Sequence, residues 1–164
     1  VLDVSNPYEP EHVTTLAMPE SAVPLSIVIE GNYAFVSSSG QWITDATFIF
    51  DISNPRHPVQ VARIPNGVFF GVHDGSAYLY NADSGLDVWD VSNPSEPIFH
   101  VTIELPLTYW EDLNVYVNDI RDITFDDDYA YIALNELGLH ILDISNPNIA
   151  EAVGVIQYGN LPHE

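Results

Sequence analysis

Aromatic rings and carboxylates crowd two short stretches of this 164-residue chain. Residues 38–46 hold Trp42 and Asp45; residues 105–120 hold Tyr109, Trp110, Glu111 and Asp112, with Tyr116 and Asp119 further on. A flat ring beside an acceptor suits contact with a sugar, a peptide or a cation. The ring face stacks or attracts positive charge, and the carboxylate sets orientation. Trp42, Asp45, Tyr109, Trp110, Glu111 and Asp112 are therefore the candidate contact site for a protein or carbohydrate ligand. The competing reading is a loop that packs its own rings inward.

Other reactive side chains sit in patterns that architecture explains better than catalysis. Asp3, Asp51, Asp90 and Asp143 each open an Asp-Ile/Val-Ser-Asn-Pro segment. There a carboxylate bonds nearby backbone and closes a turn, so the four read as turn formers and not as a carboxylate ring. His73 aligns with Ile29 and Phe125 and reads as a core residue. His140 aligns with Phe48 and Asp87 and has no partner at a metal-binding spacing. His12, His57, His100 and His163 share no offset. Residues 81–87, Asn-Ala-Asp-Ser-Gly-Leu-Asp, place oxygen ligands at alternate positions like a calcium loop. The stretch lacks the length and final Glu of an EF-hand and doubles as a hairpin turn. No cofactor is therefore expected, calcium being the alternative to test, and no catalytic or metal residue is assigned. Gly-x-Ser-x-Gly, phosphate-loop and dinucleotide fingerprints are all missing from the sequence.

A repeat must position the candidate residues. Each Asp-Ile/Val-Ser-Asn-Pro copy follows an apolar strand, and three copies continue to a second Pro, at Pro10, Pro58 and Pro97. Asn before Pro is driven out of the helical region, and Pro fixes φ and removes a donor, so each copy stops a strand. Between copies runs a second pattern of strand, tight turn and strand, with turns at Glu30-Gly31-Asn32, Asp74-Gly75-Ser76 and Asp126-Asp127-Asp128. One unit thus has four strands, A to D. Units of about 40–50 residues with four strands predict propeller blades. The expected layout is a half blade at 1–17, blades near 24–66, 67–104 and 120–160, and an insertion at 105–120. Phe50, Trp89 and Leu142 share one C-strand position and are expected to be buried. A β-sandwich is the structural runner-up, and it predicts half-polar strands without a strict four-strand repeat.

Length variation falls in the B–C and D–A connections, which leave an antiparallel four-stranded sheet at the same end. The A–B and Ser-Asn-Pro turns stay short at the opposite end. Insertions gathered on one side of a repeat protein mark its binding face.

Bulk composition narrows the partners. Twenty-four acidic residues face three arginines and no lysine, a formal charge of −21. Nucleic acid and anionic membrane need a basic footprint that is lacking, whereas cationic partners or high salt fit. A 46% hydrophobic fraction is ample for a core, and the apolar runs are strand-sized, so no membrane span is predicted. With no cysteine, disulfides and thiol chemistry are excluded. The chain has neither initiator Met nor signal peptide and opens inside an apolar strand, so it reads as part of something longer or processed.

The repeat resembles the LVIVD-repeat proteins. The matching residues are Leu86-Asp-Val-Trp-Asp-Val-Ser-Asn-Pro94, Leu139-His-Ile-Leu-Asp-Ile-Ser-Asn-Pro147, and the strand-B residues Tyr33-Ala-Phe and Tyr129-Ala-Tyr. The resemblance implies a β-propeller, all-β with four-stranded antiparallel blades, present here as about three and a half blades. It also implies a cell-surface or secreted protein, and its motif carries no catalytic residue. Ala150 stands where the other copies have the second Pro. The expectation is a non-enzymatic binding or scaffold module acting through the B–C and D–A face. One rival is a hydrolase or lyase with paired carboxylates on that face. Another is a structural subunit that joins copies through open sheet edges. Partners could equally be further blades of the same or another chain, including a homo-oligomer.

Overall fold

The computed structural model describes residues 1–18, 22–39, 45–81, 85–106, 108–110, 115–117, 120–135, 137–146 and 149–157. Among the described residues all regular elements are strands. β1 (Leu2–Asp3) and β2 (Glu11–His12) make a two-stranded ladder. β3 (Val23–Glu30), β4 (Tyr33–Ser39), β5 (Ala46–Asp51) and β6 (Val59–Pro65) form the first four-stranded sheet. β7 (Val68–His73), β8 (Ser76–Asn81), β9 (Gly85–Asp90) and β10 (Ile98–Ile103) form the second. β11 (Thr108–Trp110) pairs with β12 (Val115–Val117). β13 (Ile120–Asp126), β14 (Tyr129–Leu134), β15 (Gly138–Asp143) and β16 (Glu151–Ile156) form the last sheet. Each four-stranded sheet runs in chain order, so strands A to D of each unit lie side by side as the repeat predicts. The fold is three blades and a half blade of a partial β-propeller.

Local chemistry sets the strand ends. The A–B loops are two residues long and open with a positive φ at Gly31 (53°), Asp74 (46°) and Asp127 (47°). Gly and Asp tolerate that region, and such loops match the twist of the flanking strands. At the C–D turn, Oδ1 of Asp3, Asp51, Asp90 and Asp143 accepts the N–H of Ser5, Ser53, Ser92 and Ser145 at 2.8–3.0 Å. The turn is then closed by an N–H donated to the Asn carbonyl three residues back, from Glu9, His57, Glu96 and Ile149. The last of these forms although Ala150 replaces the second Pro. The D strand of each four-stranded sheet carries a β-bulge at the same register, with Val61, His100 and Val153 as the extra residues. A bulge sharpens local twist and bends the outer strand.

The chain divides into two compact units, Val1–Phe69 with Asn93–Pro97 and Phe70–Ser92 with Ile98–Glu164. In the first, Ala34, Val36, Ala46, Phe48 and Phe50 form a core against which Leu16, Met18 and Ala22 lie. In the second, Tyr78, Leu86, Val88 and Ile103 of one sheet face Ile123, Ala130, Ile132 and Leu142 of the other. Apolar side chains removed from water by such facing sheets supply most of the driving force, about 25 cal/mol per Å². β5 is buried at five consecutive positions, whereas burial alternates along β15. The first pattern marks a strand covered on both faces, the second a strand covered on one.

Phe50 and Leu142 are buried, as their shared position predicts. Trp89 is only half-buried. Its larger ring reaches the outer strand and meets Phe99 edge-on at 5.5 Å between centroids.

Candidate ligand-contact site

The two ends of each sheet do different work. At the turn end, the A–B loop and the C–D turn are stitched together by one repeated backbone bond. Ile52, Val91 and Ile144 donate to the carbonyls of Asn32, Gly75 and Asp128 at 2.7–2.8 Å. The four turn aspartates are spent on this architecture. The Ser5 backbone N–H and then its hydroxyl hold Asp3 below the usual carboxylate range, helped by the Arg56 charge. Ser53 and Ser145, hydroxyl first and backbone second, do the same for Asp51 and Asp143. Ser92 acts likewise on Asp90, with His100 adding a smaller charge effect. A carboxylate whose lone pairs already accept local donors is poorly placed to act as a base.

At the opposite end of the first sheet, the Asn66 N–H of the D–A link donates to the Asp45 carbonyl of the B–C connection at 2.8 Å. The two connection types therefore do share an end there. Asp45 is exposed and stands just ahead of β5. Trp42 lies outside the described residues, as do Glu111 and Asp112.

The 105–120 insertion is a β-ribbon and not an irregular loop. In β11–β12, Thr108 pairs with Val117, Tyr109 with Tyr116 and Trp110 with Val115. Thr-Tyr-Trp and Val-Tyr-Val are β-prone triplets, so the hairpin was legible from propensity. The structure thus brings Tyr109 and Trp110 onto one strand of a hairpin that follows β10.

The two histidines singled out in the sequence differ. His73 is not a fully buried core residue. Its ring stacks on Phe125 at 5.3 Å and its Nε2 lies 2.6 Å from the Asp127 carbonyl, which fastens β7 to the next sheet's A–B turn. His140 is 6% exposed, matching the buried Phe48 and Asp87 at equivalent positions. Asp87 accepts from Asn81 Nδ2 at 2.9 Å and from Thr102 Oγ1 at 2.6 Å. The two ends of the calcium-like stretch therefore bond each other, while 82–84 lie outside the described residues. Among the described residues, no group of three or more His, Cys, Asp or Glu is arranged to hold a metal.

The LVIVD-repeat model matches residues 25–64, 76–104 and 119–153, well over half of the chain. The chain belongs to the LVIVD-repeat family. Within this LVIVD-repeat protein, each matched segment ends in or just beyond strand D, and the β11–β12 hairpin falls between the second and third. The ribbon is thus an addition to the repeat and not part of it. No curated protein matches the chain. Among the described residues, no helix is long and apolar enough to cross a membrane.

Proposed function

We propose that this LVIVD-repeat chain is a non-enzymatic binding or scaffold module of a cell-surface or secreted protein, which contacts a protein or carbohydrate through its B–C and D–A loop ends. One observation carries the reading: the turn end of every sheet is closed by the same internal hydrogen bonds, while the added β11–β12 ribbon leaves from the other end. Selection for architecture accounts for the repeated end, which leaves the B–C connection and the added segment at the other end free to serve recognition. Trp42, Asp45, Tyr109, Trp110, Glu111 and Asp112 supply the rings and acceptors.

The test replaces residues 107–118 with a link as short as 66–68 and compares glycan and peptide arrays for the two proteins. The expected result is wild-type hits that the shortened variant and Trp110→Ala lose, at unchanged melting temperature. Hits retained by the shortened variant, or no hits for wild type, would overturn the reading.

A second reading, self-assembly, has its own support. β3 is an edge strand whose Val23, Leu25, Ile27 and Ile29 are each more than half exposed, and Val153, Val155 and Ile156 are exposed on the edge strand β16. Apolar edges of this kind invite pairing with another strand. Sedimentation velocity that shows only monomer at high concentration would sink it.

A further inference from the structure

The second unit contains a cavity of about 620 Å³ between the end of β10 and strands β15 and β16. Its walls are mainly apolar, with Val101, Ile103 and Leu105 from β10 and beyond and Leu142 and Ala152 from the last sheet, while Thr102, Glu104 and His140 add polar groups. Register explains its position. His140 pairs with Ile132 and Val155, and Leu142 with Ala130 and Ala152, so these residues share the face of the last sheet that meets the β7–β10 sheet. Strands β8 and β9 touch β13 and β14 through Tyr78, Val88, Ile123, Ala130 and Ile132. Twisted sheets diverge away from such a contact, and the outer strands are left apart.

His140 is the polar group at the cavity wall that the packing does not explain. It lines the cavity, it is 94% buried, and among the described residues its imidazole has no hydrogen-bond partner. The first sheet fills the equivalent position with Phe48, beneath Leu16 and Met18. The second places Asp87 there, satisfied by Asn81 and Thr102. At this position only the third sheet leaves a donor and acceptor without a protein partner, and they border the cavity, where a bound molecule can answer them. A volume in this range with mainly apolar walls and a few polar groups is the usual make-up of a small-molecule site.

We propose that this cavity binds a small uncharged molecule with an apolar body and a single hydroxyl, the hydroxyl pairing with the His140 imidazole. A neutral imidazole offers one N–H and one lone pair, and a hydroxyl can answer either. Anions are disfavoured by the exposed Glu104 at the cavity wall and by the formal charge of −21. This site is separate from the ribbon contact proposed above, and either can fail alone.

The experiment titrates the 164-residue chain with 1-naphthol, naphthalene and 1-naphthoate and follows the histidine ring resonances by NMR. Saturable 1-naphthol binding that moves the His140 signals is expected, about fivefold tighter than naphthalene, the usual worth of one hydrogen bond. 1-Naphthoate should bind more weakly than 1-naphthol. His140→Phe, which copies the first sheet, should abolish the preference for naphthol over naphthalene. Ala152→Phe, at an exposed edge position, should weaken both by filling the cavity. Absence of saturable naphthol binding, equal affinity for naphthol and naphthalene, tighter binding of naphthoate, or a preference that survives His140→Phe would each overturn the proposal. Should His140→Phe fail to fold, Ala152→Phe and the His140 signals decide it alone.

Discussion

Replacing Gly85 with alanine tests the geometry at the start of strand C. Gly85 has φ +121°, and a Cβ there would lie 2.5 Å from the Ile103 carbonyl oxygen and 3.4 Å from the Leu105 nitrogen. Two costs add. An L residue held at positive φ is strained by about 1–3 kcal/mol. A methyl forced against backbone must then widen the C–D separation by about 1 Å, and overpacking of this kind costs about 1–3 kcal/mol. The sum, about 2–6 kcal/mol, is a large share of a typical domain's stability of about 5–15 kcal/mol. Gly138 repeats the arrangement at φ +83°, against the Ile156 carbonyl, and should behave alike. Gly31→Ala is the control: φ is +53° and nothing lies within 4 Å, so only the backbone strain applies. Urea unfolding followed by circular dichroism should show Gly85→Ala with a lowered midpoint and an unchanged slope, and Gly31→Ala with a smaller loss. A Gly85→Ala protein within about 0.5 kcal/mol of wild type, or a Gly31→Ala protein equally destabilised, would refute the reasoning.

The turn aspartates set the acid limb. Their folded pKa values lie below the ordinary value, so their stabilisation is present above about pH 4 and is lost as pH falls through the lowered folded values. Asp51→Asn should flatten part of that decline in urea midpoints measured at successive pH values. Tyr78, 1% exposed, is pushed up to about 12, first by burial and then by the Asp74 charge. Its contribution is intact below pH 10 and should fade as pH rises toward 12, by at most about 2–3 kcal/mol; a Tyr78→Phe variant with an identical alkaline decline would count against it. At −21, sodium chloride should raise the melting temperature by screening repulsion. A saturable calcium effect beyond ionic strength would instead reveal a site at residues 81–87.

Strand stops and turns were written in short segments. Asp-Ile/Val-Ser-Asn-Pro closes on itself within a few residues, and the A–B loops need only one residue that accepts positive φ. Such chemistry is local, so strand order and the sharing of ends between connections could be read from spacing alone. Even the β11–β12 ribbon was present in its β-prone triplets. Burial was not legible in the same way. Phe50, Trp89 and Leu142 occupy one repeat position, yet Trp89 stays half-exposed beside Phe99. Phe48, Asp87 and His140 occupy another, and one joins a core, one is satisfied by hydrogen bonds and one faces a cavity. Within the repeat units the sequence by itself determined strand order and where the turns fall, because those bonds form between near neighbours. Only the tertiary structure decided what each side chain meets, because that depends on how far apart two sheets lie at that point.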